Sequence, residues 1–84
     1  MKSTRDTVEH ELRTLLTERF AVPAEQITPE AHLFDDLGLD SVDLISAVAI
    51  LEERHSLTIT DENLQDMLVV RGLVDRVTQL LERS

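Results

Sequence analysis

The chain has no cysteine, tryptophan or tyrosine. Without cysteine, neither a disulfide nor a thiolate metal site can staple a small fold. Thiol chemistry is excluded as well, so a thiol needed for function must be imported. The only aromatic residues, Phe20 and Phe34, offer nucleobases little to stack on. Positive charge is scarce: eight Lys and Arg stand against seventeen Asp and Glu, for a net charge of −9. Such a chain does not bind nucleic acid by neutralising phosphates. No apolar run approaches the ~20 residues of a membrane-spanning helix, and the N-terminus shows no signal-peptide h-region. The expectation is a soluble, cytoplasmic protein with no membrane insertion. No repeat, low-complexity tract or linker divides the 84 residues, so they are expected to form one domain, 1–84, with a small core.

The charge is unevenly spread. From Glu25 to Asp66 there are eleven acids and one base, Arg54, whereas the flanks are close to neutral. A solvated face is the plain explanation. A surface that steers toward basic partners is the sharper one.

Hydrophobic periodicity predicts helices. Ser3, with Asp6 three residues later, has the form of a capping box. Val8, Leu12, Leu15, Leu16 and Phe20 follow as one apolar stripe, with His10 and Arg13 off it and facing solvent. Pro23 disfavours helical geometry at Val22 and ends this helix. A long connection, Val22 to Asp40, follows. Loops beyond ~12–15 residues are uncommon in compact domains unless they serve a function. Pro23–Gln26 can form a turn of helix, Thr28-Pro29-Glu30 reads as another turn, and Ile27, Leu33, Phe34 and Leu37 can dip into the core. His32 in this loop reads as structural or solvated, not as a metal ligand.

The next helix is predicted over Ser41–Arg54. Gly38 allows a bend before it, Asp40 is a good N-cap, and Asp43 completes a second capping box. Ser41 then lies in the first turn, beside unpaired N–H groups and the positive end of the helix dipole. A phosphate there would be well placed. Leu44, Ala47, Val48 and Leu51 should face the core. Val42, Ile45 and Ala49 form a second stripe, which is either an exposed binding strip or part of a broadly buried arc. His55 is expected to be a neutral, buried histidine satisfied by one hydrogen bond. Leu57 and Ile59 can plug the core, and Thr60-Asp61 opens a short helix burying Leu64, Met67 and Leu68. A last helical set runs Val70, Leu73, Val74, Val77, Leu80, Leu81. Periodicity alone would allow a single helix from Asp61 to Glu82.

Several catalytic patterns are missing. There is no Gly-x-Ser-x-Gly elbow and no Gly-rich phosphate loop. The aspartates 35, 36, 40 and 43 lack calcium-loop spacing. No metal site is expected.

The stretch Phe34-Asp35-Asp36-Leu37-Gly38-Leu39-Asp40-Ser41-Val42 resembles the attachment motif of acyl carrier proteins, with Val in place of the usual Leu after Asp-Ser. The resemblance runs over nearly the whole chain. It implies an all-α four-helix bundle with three longer helices and a short third one, broken near Leu68-Val69-Val70. Val69 would then be the cap position of the last helix, without a capping side chain, and with Gly72 close by the joint is expected to be mobile. It implies 4′-phosphopantetheine on Ser41, with Asp40 helping a phosphopantetheinyl transferase and its metal to engage. It implies a non-catalytic, monomeric carrier for fatty-acid or polyketide-type synthesis. Its partners would be acyl-transferring, condensing or ligase enzymes with basic docking patches. Asp36, Asp40, Asp43, Glu52 and Glu53 would supply charge to that interface, and Val42, Ile45 and Ala49 the dry contact. An acyl chain would lie among Val48, Ile59, Leu64 and Leu68. Two alternatives stand beside this reading: an aminoacyl or peptidyl carrier, and an acidic helical interaction module regulated by phosphorylation of Ser41.

The clustered acids make the fold self-repulsive at low ionic strength. Adding salt or millimolar Mg²⁺ near neutral pH should raise the melting temperature, and an unchanged or lower value would contradict this.

Overall fold

The protein was analysed as a computed structural model that describes residues 3–59 and 64–83. Three α-helices, α1 (Thr4–Arg19), α2 (Ser41–His55) and α3 (Val70–Glu82), are joined by two 3-10 turns, Ala24–Gln26 and Leu64–Leu68. The described residues contain no strand. Their one β-type contact is an isolated antiparallel bridge between His32 and Val69. The architecture is all-helical as expected, with the short third element wound as a 3-10 turn. The side chain of Leu64 and the expected start at Thr60-Asp61 lie outside the described residues.

Helix α1 starts as its sequence predicts. Ser3 Oγ accepts the Asp6 N–H at 3.1 Å, and the Asp6 carboxylate accepts the Ser3 N–H at 3.4 Å. Val8, Leu12, Leu15 and Leu16 are buried. The helix ends earlier than the proline argument requires. Phe20 is the C-cap, and Ala21 takes a left-handed conformation at φ 57°. Phe20 and Val22 N–H both donate to Leu16 O, at 3.3 and 3.0 Å, closing orphan carbonyl capacity at the helix end. Arg13 is half-buried instead of fully solvated, and its guanidinium donates to Ala24 O at 3.5 Å. That bond draws the first 3-10 turn onto α1.

The long connection is a part of the core. Val22, Ile27, Ala31, Leu33, Leu37 and Leu39 are all buried, whereas Phe34 packs only partly against the core. Its backbone docks on the entry to α3. Leu33 N–H donates to Leu68 O at 2.6 Å, Val70 N–H to Ala31 O at 3.0 Å, and Arg71 N–H to Pro29 O at 2.8 Å. Val69, extended at φ −107° and ψ 140°, is the N-cap of α3 and makes no side-chain capping bond. The break and its missing side-chain cap fall where the resemblance puts them. The loop carbonyls of Ala31 and Pro29 take amides at the helix start that a capping side chain would otherwise serve.

Helix α3 buries Val70, Leu73, Val74 and Val77, and Leu80 and Leu81 pack partly against the same core. Thr78 is also buried, and its Oγ1 has no hydrogen-bond partner among the described residues. Arg5 and Asp75 form an ion pair joining α1 to α3 on the surface. Glu11 Oε2 lies 2.6 Å from His55 Nε2, joining α1 to the end of α2. His55 is thus half-buried with one partner, where a buried and neutral ring was expected, and that partner is an acid forty-four residues away.

Ala21 is exposed, so its left-handed backbone is not repaid by side-chain packing. An L-residue in this region costs roughly 1–2 kcal/mol, which glycine avoids apart from its larger unfolded-state entropy. Ala21→Gly should therefore stabilise the fold by about 0.5–1 kcal/mol in urea unfolding.

Candidate functional site

The site begins with Gly38. Its φ of +72° is a left-handed value, and a Cβ built there would meet nothing within 4 Å. The requirement for glycine is conformational and not one of space. Gly38 N–H donates to Phe34 O at 3.1 Å and Leu39 N–H to Leu33 O at 3.0 Å. These bonds turn the chain so that Leu39 enters the core and Asp40 emerges from it.

Asp40 is the N-cap of α2, extended at φ −119° and ψ −177°. Its Oδ1 accepts the Asp43 N–H at 2.9 Å, and Asp43 Oδ2 accepts the Asp40 N–H at 3.3 Å. Leu44 N–H donates to Asp40 O at 3.0 Å. Leu39 and Leu44, both buried in one core cluster, occupy the positions of a hydrophobic staple around this box. The helix start is thereby fixed from both its polar and its apolar side. Ser41 is the first residue inside α2 and is exposed. Among the described residues no group holds its hydroxyl. A free Oγ thus projects at a helix N-terminus, next to main-chain N–H groups that favour an anion.

The second stripe of α2 is exposed and is not part of a wide buried arc. Val42 is 69% and Ile45 68% accessible, the two exposed large hydrophobic residues among those described. Ser46 and Ala49 are exposed beside them. Leu44, Ala47 and Leu51 take the buried face, while Val48 and Ile50 are half-buried against the core. The role of Ile50 escaped the sequence reading, because it falls between the two stripes. Asp36 and Glu53 are exposed, and Asp43 is half-buried.

Glu52 differs from its neighbour. Its Oε2 accepts the Ile59 N–H at 2.7 Å, fastening the segment after α2 back onto the helix. Helix α2 ends with Ser56 in a left-handed conformation, its N–H and that of Leu57 both directed to Glu52 O. Glu52 therefore serves the end of α2 through both its main chain and its side chain. No sequence signal marks this, because the partner is a backbone amide seven residues on. Of the residues expected around an acyl chain, Ile59 is buried, and Val48 and Leu68 are half-buried against the core.

Among the described residues, no cluster of three or more His, Cys, Asp or Glu side chains could hold a metal ion, and no helix is long and apolar enough to cross a membrane. Asp36 instead lines, with Glu25, Gln26, Thr28, Glu30 and Ala31, a shallow acidic recess of about 400 Å³ in the long connection.

The two acids of α2's ends can be separated by experiment. Glu52→Lys removes a charged acceptor from a main-chain amide and should destabilise the fold by about 1.5–3 kcal/mol. Glu53→Lys touches no such bond and should stay within about 0.5 kcal/mol of wild type. Equal losses for both variants in denaturant unfolding would contradict the role given to Glu52.

Known proteins resemble this chain in sequence and fold. The profile of the phosphopantetheine attachment site matches residues 10–77. An acyl carrier protein of Nitratidesulfovibrio vulgaris is 33% identical over 72 residues, covering 86% of this chain and 95% of its own length. One from Saccharopolyspora erythraea is 33% identical over 79 residues, covering 94% and 83%. The solved structure of a thermally stable acyl carrier protein from Enterococcus faecalis superposes with a TM-score of 0.77 at 27% identity, over 93% of this chain and 99% of that one. A helix that opens on a doubly capped Asp-Ser step, with a free hydroxyl and an apolar strip beside it, is thus found in a chain that belongs to the acyl carrier protein family, whose cofactor is phosphopantetheine.

Proposed function

We propose that Ser41 is the attachment residue and that the whole chain, 1–84, works as one carrier domain. The observation that carries this is the free, exposed Oγ at the first position of α2, held in place by the Asp40–Asp43 box. The residues fit the group. A phosphodiester on Ser41 gains ~0.3–1 kcal/mol from the helix N-terminus, and the carboxylates of Asp40 and Asp43 repel it by a similar, salt-screened amount. Neither effect decides the outcome, because the link is covalent.

In the attachment step, Ser41 Oγ forms a bond to the phosphorus that carries the pantetheine arm of coenzyme A. The pyrophosphate bond breaks, the adenosine bisphosphate leaves, and the hydroxyl proton passes to a base of the transferase or to water. The bound arm supplies the thiol that this cysteine-free chain lacks, and acyl groups ride on it as thioesters. Asp40 then has two tasks: one oxygen stays in the capping box, and the other is free to meet a transferase-bound Mg²⁺.

The protein itself breaks no bond of the cargo. Its partners are a phosphopantetheinyl transferase and the acyl-transferring, condensing or ligase enzymes of fatty-acid or polyketide-type synthesis in the cytoplasm. Docking uses Val42, Ile45 and Ala49 as the dry strip, with Asp36, Asp40, Asp43 and Glu53 as the outward charges. Glu52 contributes mainly by holding the end of α2. Val48, Ile59, Leu64 and Leu68 are the side chains proposed to shelter an acyl chain. Acyl carrier relatives, together with Gly-Leu-Asp-Ser in place of Gly-Gly-x-Ser, favour an acyl over an aminoacyl cargo.

Incubation with coenzyme A, Mg²⁺ and a broad-specificity transferase should add one arm's mass to the wild-type protein. Ser41→Ala should add none, while its helicity and melting temperature stay nearly unchanged. A wild type that gains no mass with several transferases, or a Ser41→Ala that gains it as readily, would overturn the assignment.

A further inference from the structure

The segment that leads to Asp40 and Ser41 is organised around His32. Its Nδ1 accepts the N–H of Phe34 at 3.2 Å and of Asp35 at 3.1 Å. Its own N–H donates to Asp36 Oδ2 at 2.7 Å, and its carbonyl accepts the N–H of Asp36 at 2.9 Å and of Leu37 at 3.1 Å. One residue thus anchors every amide from Phe34 to Leu37. The carbonyls of Leu33 and Phe34 in turn hold the amides of Leu39 and Gly38, which immediately precede Asp40. Behind it, His32 is bridged to Val69 at the entry to α3.

A side-chain acceptor two and three residues ahead of free N–H groups is the geometry of an N-cap. Ser, Thr, Asp and Asn, the usual residues there, remain acceptors across the neutral pH range. Imidazole does not. Nδ1 can accept only in the neutral ring whose proton sits on Nε2, and the protonated ring carries donors on both nitrogens. A proton on Nδ1 would face two N–H groups and break both bonds.

We propose that His32 is a positioning residue for the attachment turn, and that protonation of its ring releases that turn. The neutral ring holds the Phe34 and Asp35 amides. The protonated ring lets them go and pairs with an acid instead. That acid is at hand, because Asp35 Oδ2 is 3.8 Å from Nδ1. Asp35 faces the ring itself and Asp36 holds the His32 main-chain amide; across the Val69 bridge, Arg71 follows two residues on and is paired with Glu30 at 2.8 Å. The edge of the ring meets Phe34 at 5.8 Å between centroids and 66° between planes. With the side chain 30% accessible, protons can reach it from solvent. The consequence for arm transfer rests on Ser41 being the attachment residue; the release of the turn does not.

Nuclear magnetic resonance of the full chain tests this, following imidazole nitrogens and backbone amides as the pH is lowered from about 8 to about 5. At the upper end His32 should be the Nε2–H tautomer. On acidification, the Phe34 and Asp35 amides should shift along the His32 titration and exchange with solvent at least about tenfold faster. His32→Ser keeps an acceptor that does not titrate, so it should keep the turn and lose this pH response. His32→Ala should exchange fast at both ends of the range. In parallel, the rate of arm transfer to wild type, taken relative to His32→Ser, should fall as His32 is protonated. An Nδ1–H tautomer at high pH, amides that do not follow His32, or a response that persists in His32→Ser would overturn the proposal. A wild type that takes no arm at all would overturn the Ser41 assignment, while the amide data would still decide the role of His32.

Discussion

The docking of the long connection onto the entry of α3 is the constraint on which the rest of the structure depends. The twenty-one residues between α1 and α2 carry many main-chain N–H and C=O groups, and helix α3 starts without a capping side chain. Each problem solves the other. Ala31 and Pro29 carbonyls take the first α3 amides, and Leu68 O takes the amide of Leu33. With its polar groups satisfied at this seam, the connection can bury Ile27, Ala31, Leu33, Leu37 and Leu39 without stranding backbone in the core. The same seam fixes where the turn to Gly38 begins, and so where Ser41 comes to the surface.

Much of this was legible in the sequence, and what was legible is local. Both capping boxes lie within four consecutive residues, Ser3–Asp6 and Asp40–Asp43, and both formed as read. The buried stripes of α1, α2 and α3 followed their period. The break at Val69 was visible only through resemblance, because apolar residues continue across it in helical spacing. What closes that break is a set of main-chain bonds with no side-chain signature. The same holds for Glu52 and the Ile59 amide, for Arg13 and Ala24 O, and for Glu11 opposite His55. Each joins residues whose identities do not announce the pairing. The second stripe of α2 was ambiguous for another reason: period places Val42, Ile45 and Ala49 on one face but does not say whether anything packs on it.

The composition explains why that face can stay exposed. Two isolated apolar side chains of this size, Val42 and Ile45, are surrounded by the most acidic part of the chain. Like charge opposes the approach of a second copy, which works against the self-association that an exposed apolar strip otherwise invites. The basic residues are placed largely on α1 and α3, where Arg5 and Arg71 meet Asp75 and Glu30. Between Glu25 and Asp66 acids outnumber bases eleven to one, so the segment that carries Ser41 is dominated by one sign of charge.

The acids nearest Ser41 illustrate how stability and function share atoms here. Asp40 and Asp43 each commit one carboxylate oxygen to the other's backbone amide, so each is half structural. Removing either charge also removes a cap, typically worth about 1 kcal/mol. A loss of arm transfer in such a variant would mix a frayed helix start with a lost electrostatic contact. Asn at position 40 separates the two effects, because its amide oxygen can still cap Asp43 N–H while the charge is gone. Asp36 allows the same separation: its Oδ2 accepts the His32 N–H, and the amide oxygen of an Asn there can accept that bond while the charge is gone. Ser41 therefore lies beside acids whose position is set by main-chain amides, and the bonds that orient these carboxylates are the same bonds that start the helix.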